Sequence, residues 1–165
     1  IIGPNVRLTN VVVGNATNLQ FVYGHDCVVG SGVTVGPYVH LRPDTVISDE
    51  VKIGNFVEVK NSNIGRGSKL PHLSYIGDSD IGERVNMGCG TITVNYDGKK
   101  KHRTVVEDDA FVGCNSNLVA PVTVGAGSYI GAGSTVTKDV PPDDLGVARA
   151  RQTNIKGWAA KYRNS

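Results

Sequence analysis

The chain has 165 residues, 39% of them hydrophobic and 6% aromatic, and a formal net charge of +2. That length suits one domain able to bury a core without disulfide staples. So small a charge gives no electrostatic case for nucleic acid or a membrane surface, and no apolar run approaches the ~20 residues of a membrane span.

The chain opens "IIGPNV" with no initiator Met and no signal-peptide pattern, which reads as a fragment or a processed chain. Over residues 1–28, Ile2-Gly3 and Val13-Gly14 show a faint beat around the irregular stretch "TNLQFVYGHDC". From Val29 the beat is regular. Steps of six give Val35, Leu41, Ile47, Ile53 and Val59; a step of five gives Ile64, then Leu70 and Ile76; another gives Ile81, then Met87. A second frame runs Val106, Val112, Leu118, Val124, Ile130 and Val136 without a slip. Gly commonly follows the aliphatic rung, and the fourth position after it is small or β-branched, as at Val33, Thr45, Ser68, Thr91, Ser116 and Ser134. Glycine makes up 21 positions, well above the usual share of about 7%.

This is the hexapeptide pattern of a parallel β-helix. One aliphatic side chain per short strand points inward, each coil contacts its neighbours, and Gly is expected to supply the corner conformation. An α-helix would space apolar residues by three and four. Sandwich strands would not hold one fixed period so long. The fold class is therefore all-β, a solenoid over residues 1–140 with a tail at 141–165.

Two segments leave the rhythm. "VNYDGKKKHR", residues 94–103, combines the turn residues Asn95, Asp97 and Gly98 with a basic run, and reads as a projecting loop. After Val140, Pro-Pro closes the solenoid, and a basic, weakly helical run holding Trp158 is expected to pack on its end. The cysteines, Cys27, Cys89 and Cys114, stand singly, so neither a disulfide framework nor a zinc knuckle is expected and a reducing, cytoplasmic setting is the simplest reading.

The non-repeat residues carry more. "GNFVEVKNSNIGRGSKLPHLSYIGDSDIGERVNMGCGTITVNYDG", residues 54–98, and "FVGCNSNLVAPVTVGAGSYIGAGSTVT", residues 111–137, closely resemble the acetyltransferase domain of the bifunctional bacterial glucosamine-1-phosphate N-acetyltransferase / N-acetylglucosamine-1-phosphate uridyltransferase family. The resemblance implies a left-handed β-helix that forms a homotrimer with sites between subunits. It implies acetyl transfer from acetyl-CoA to the amine of glucosamine 1-phosphate, for UDP-N-acetylglucosamine and cell-wall synthesis. The uridylyl-transferring domain that precedes it in the family is expected to be absent, and its Mg²⁺ chemistry with it.

By the same resemblance His72 is the general base and Glu58 a supporting carboxylate, roles that suit an imidazole titrating near neutrality. Arg42 and Lys60 match phosphate ligands, a fork and a point charge suited to phosphate oxygens. Tyr75 and Asn86 match further acceptor contacts. Lys101 matches a lysine reaching the substrate from a neighbouring subunit. Asn95, Tyr96, Cys89, Cys114 and Ala132 match the acetyl-CoA contacts, and Arg149 the CoA phosphates. The family often has Ala where Cys89 stands, Ser where Cys114 stands and Asn where Lys100 stands. No metal is expected.

Three rivals stand beside this reading. Another hexapeptide acyltransferase would lack the phosphate set of Arg42, Lys60 and Tyr75. A silent trimerisation scaffold would not need His72, Tyr75 and Asn95 together. A zinc enzyme would need three histidines from adjacent coils of about eighteen residues, and the gaps between His25, His40, His72 and His102 are 15, 32 and 30.

Overall fold

The computed structural model describes residues 1–163 as one 19-stranded sheet wound into a solenoid. Every ladder of the sheet is parallel, and partners are separated by one coil: Arg7 pairs with Tyr23, Val22 with Val39, Val39 with Val57, Asn117 with Thr135. Each coil contributes three short strands, so the ladders form three faces. The first face stacks the rungs Val35, Ile53, Leu70, Met87, Val112 and Ile130. The second stacks Leu41, Val59, Ile76, Leu118 and Val136. The third stacks Val29, Ile47, Ile64, Ile81, Val106 and Val124.

All of these rungs are buried, so the six-residue beat is the core itself. The small fourth position is buried too, and where it is polar it is satisfied locally. Thr91, Ser116 and Ser128 each donate to the carbonyl of the glycine three residues earlier. At the two five-residue steps, Ser62 and Ser79 take that inward position one residue sooner, and both are buried.

The glycine after the rung has a different reason from the one expected. The left-handed backbone lies further on, usually three residues past the rung, at Gly32, Tyr38, Asp44, Glu50, Phe56, Leu73, Arg84, Gly90 and Asn115. What the rung-following glycine provides is room. A Cβ on Gly54 would stand 1.8 Å from the Pro71 carbonyl oxygen, and one on Gly88 would stand 2.6 Å from the Cys114 nitrogen. The coils pass too close there for any side chain.

The N-terminal coils join the stack from strand Arg7–Val13 onward, with Leu19 fully buried, whereas Ile2 is 59% exposed at the open end. The chain leaves the solenoid only after Val94, which still pairs with Val119, and the insertion that follows raises the coil-to-coil spacing so that Asn86 pairs with Phe111. The tail divides. Leu145–Gly146 adds one more rung to the first face, and Ala148 both donates to Ser134 Oγ and accepts from the Thr135 amide. Residues 147–163 are exposed throughout, including the helix Trp158–Arg163; residues 164–165 lie outside the described residues.

Candidate active site

Parallel in-register stacking turns sequence positions one coil apart into columns, and the expected site residues fall into two of them. On the second face Glu58 sits between His40 and Tyr75 in register, and Arg42 and Lys60 follow the rungs Leu41 and Val59. On the first face His72 stands next to Asn55, two residues past the rung Leu70. Cys89, Cys114 and Ala132 occupy the same place in the following coils, as the bonds Gly90 N to Leu73 O, Asn115 N to Cys89 O and Gly133 N to Cys114 O require. Asn86 lies on this face, just before its rung. Arg149 reaches the end of the column, its Cδ 3.8 Å from where a Gly133 Cβ would be.

Between the two faces runs a corner of left-handed residues: Phe21, Tyr38, Phe56, Leu73, Gly90, Asn115 and Gly133. Up to Leu73 they form an apolar ridge, with Tyr38 and Phe56 stacked at 5.5 Å and both more than half exposed. From Gly90 onward the corner is low. The ridge therefore ends beside His72, and past it the first face offers a trough floored by Cys89, Cys114 and Ala132. The wall of the ridge also borders a cleft of about 750 Å³ lined by Tyr38, Phe56, Glu58 and Tyr75 among others.

His72 is exposed, and its Nδ1 lies 2.9 Å from Asn55 Oδ1. An amide oxygen only accepts, so Nδ1 is the donor of this contact, and a neutral ring so held carries its lone pair on Nε2. That is the tautomer a general base needs. Glu58 does not serve His72 within the chain. It accepts from Arg42 Nη1 at 2.8 Å across the corner-separated second face. Within the chain the group behind the histidine is an amide, Asn55, which the sequence reading missed.

The acceptor side is more tightly tied. Lys60 Nζ lies 3.5 Å from Asp78 Oδ1. Asn61 Nδ2 donates to the same oxygen at 2.5 Å, and Asn95 Nδ2 donates to Oδ2 and, at 3.3 Å, to the Tyr75 hydroxyl. Lys101 comes from the projecting loop to stand beside Lys60 of its own chain, and that neighbouring ammonium holds the Lys101 amine below its ordinary value. Burial works against the Asp78 charge, but the Asn61 and Asn95 hydrogen bonds and the two lysines outweigh it and keep the carboxyl low.

The loop is braced from inside. Asp97 Oδ1 accepts from the amides of Lys99 and Lys100 at 2.8 Å each, and Oδ2 pairs with His102 Nε2 at 2.7 Å, holding that carboxyl down at about 2. Tyr96 is exposed on the loop and bridges to Lys101. Cys27, unlike Cys89 and Cys114, is buried, and burial pushes its thiol up to about 11.

The N-terminal coils also bring His25 and His40 together, rings 6.0 Å apart, because coils there are shorter than eighteen residues. Among the described residues no group of three or more His, Cys, Asp or Glu gathers as a metal site would. No described helix is long and apolar enough to cross a membrane.

Comparison with known proteins agrees with these features. The family described as bacterial transferase hexapeptide (six repeats) matches residues 26–61 and 103–138. A bifunctional protein GlmU from Geobacillus sp. (strain WCH70) is 59% identical over 157 residues, covering 95% of this chain and 34% of its own length. The bifunctional protein GlmU of Halalkalibacterium halodurans is 56% identical over 164 residues, covering 99% and 36%. The chain spans about a third of the length of the curated relatives it matches, and the match falls in their C-terminal part. Among solved structures, the UDP-N-acetylglucosamine O-acyltransferase (LpxA) of Moraxella catarrhalis superposes with a TM-score of 0.60 at 17% identity, covering 89% of this chain and 65% of that one. That likeness concerns the fold.

Proposed function

Because the chain belongs to the hexapeptide-repeat family of the C-terminal part of the bifunctional GlmU proteins, we propose that it transfers acetyl from acetyl-CoA to the amine of glucosamine 1-phosphate. The observation that carries the reading is a pair of unlike surfaces on the two faces that flank the apolar ridge. A trough of small residues ends at a base-ready histidine on one side. On the other side two ammonium groups and an arginine gather, with one buried carboxylate among the lysines.

In this reading the pantetheine arm lies along Cys89, Cys114 and Ala132, with Asn95 and Tyr96 at its acyl end and Arg149 at its phosphates. The sugar phosphate is held by Arg42, Lys60 and Lys101, with Tyr75 and Asn86 contacting the acceptor. His72 Nε2 takes the proton of the attacking amine as the C–N bond forms, and returns it to the CoA sulfur as the C–S bond breaks, so that CoA leaves as the thiol. Glu58 keeps Arg42 pointed at the acceptor. The reaction as written needs no metal. Its product fits the cytoplasmic supply of UDP-N-acetylglucosamine.

The apolar ridge separates His72 from the lysines within a chain, and its exposed rings ask for cover. We read this as a homotrimer in which the first face of one chain meets the second face of the next.

The test is thiol release from acetyl-CoA with glucosamine 1-phosphate as acceptor. Wild type is expected to turn over, and His72→Ala to lose about 10²–10⁴-fold in kcat. Full activity in a folded His72→Ala protein would remove the histidine from the mechanism. No release from wild type, with acetyl-CoA shown to bind, would point to another acceptor.

A further inference from the structure

The residue that organises the acceptor site is one to which sequence reasoning gave no role. Asp78 is buried, sits at a left-handed corner, and carries a full set of partners. Its carboxylate takes Asn61 and Lys60 on one oxygen and Asn95 on the other. Its backbone amide donates to the Lys60 carbonyl, and its own carbonyl accepts from Thr104, where the projecting loop returns to the solenoid. Asp78 therefore grips both roots of the loop, Asn95 on departure and Thr104 on return.

Charge makes the arrangement purposeful. Lys60 and Lys101 stand side by side, and like charges that close repel unless something of opposite sign lies against them. Asp78 is that group. Arg103, the next cation to feel Asp78, is already paired with Asp80 at 2.6 Å. One carboxylate against two ammonium groups leaves a surplus positive charge, pre-assembled around the largely covered Lys60. A phosphate entering there completes the neutralisation without having to gather the lysines itself.

We propose that Asp78 is the positioning residue of the acceptor site, holding Lys60 and the Lys101-bearing loop together as a preformed receptor for the substrate's phosphate. The proposal rests on the reading that the acceptor is a sugar phosphate. Asp78 does not touch the reacting atoms. Its effect falls on acceptor binding and on the protonation of the lysine pair.

The experiment pairs kinetics with lysine NMR on the full chain, for wild type and Asp78→Asn. The KM for glucosamine 1-phosphate is expected to rise about tenfold with kcat within about threefold, since a binding contact common to ground and transition states is weakened. Independently of catalysis, the Lys101 ammonium, followed by carbon-13 at Cε, is expected to lose its proton at lower pH in the variant, because its compensating charge is gone. Either readout unchanged in a folded variant overturns the proposal. Should wild type not acetylate glucosamine 1-phosphate, the functional reading falls by itself. Inorganic phosphate titrated onto the same lysine signals then replaces KM: about tenfold weaker binding in Asp78→Asn supports the role of Asp78, and equal binding refutes it. If Asp78→Asn does not fold, Asp78→Asn with Lys101→Met is expected to fold, its repulsion relieved. Failure of that double variant would make Asp78 a fold-maintaining residue only and contradict the proposal.

Discussion

A neutral amide stands behind His72 where many acyl-transfer histidines use a carboxylate. Asn55 fixes the tautomer through its oxygen while adding no negative charge beside the ring. Changing that one property has a signed consequence. In Asn55→Asp a carboxylate would favour the protonated imidazole, so the acid limb of kcat/KM against pH is expected to move up by about one unit. An unmoved limb would mean that the Asn55 contact is lost in the working enzyme. His72 and the lysines stood out in the sequence through the motifs around them, and the roles given them are those of the proposed reading. Asn55 and Asp78 were not, because their roles exist only after residues 17 positions apart are brought side by side by strand pairing. The contact of Glu58 with Arg42 was hidden for the same reason, since Arg42 is 16 residues away on the neighbouring coil.

The strands and corners divide the work of the fold. Rungs were readable because burial demands an aliphatic side chain at every inward position, and each rung of the two frames is indeed inside. Corners were less readable, since a left-handed residue need not be glycine: Phe56 at +59° and Leu73 at +41° occupy such positions and project apolar side chains. The corner column changes from bulky to small between Leu73 and Gly90, and that change makes the trough. Gly90, at φ +75°, has Asn115 Oδ1 2.3 Å from where its Cβ would be. Gly90→Phe would extend the ridge by one coil. The KM for acetyl-CoA is expected to rise at least tenfold, with stability lowered by about 1 kcal/mol from the left-handed backbone, as checked by initial rates and urea denaturation. Unchanged acetyl-CoA binding would show that the arm does not cross this corner.

At the scale of the whole molecule, the solenoid is a stiff prism whose three corners differ in chemistry. One carries the exposed aromatic ridge, one carries Asn10, Asp26, Asp44, Asn61 and Asp78, and one carries Glu50, Arg84 and Asp109 bound in surface ion pairs. Surface pairs of that kind contribute little to stability, and the proposed trimer places its seam at the apolar corner instead. In the proposed reading its two flanking faces hold complementary halves of the site, His72 and the small residues on one and the cations around Asp78 on the other. A closed ring of three chains would bring each first face against a second face.

That division is tested most directly by mixing two crippled chains, His72→Ala and Lys60→Ala, unfolding and refolding them together, and measuring acetyl transfer to glucosamine 1-phosphate. If each site draws its histidine from one chain and its lysine from the next, about a quarter of the sites in randomly mixed trimers regain both groups, and activity returns well above that of either variant alone. Mixed trimers, verified by mass, that stay as inactive as their parents would contradict a site shared between chains.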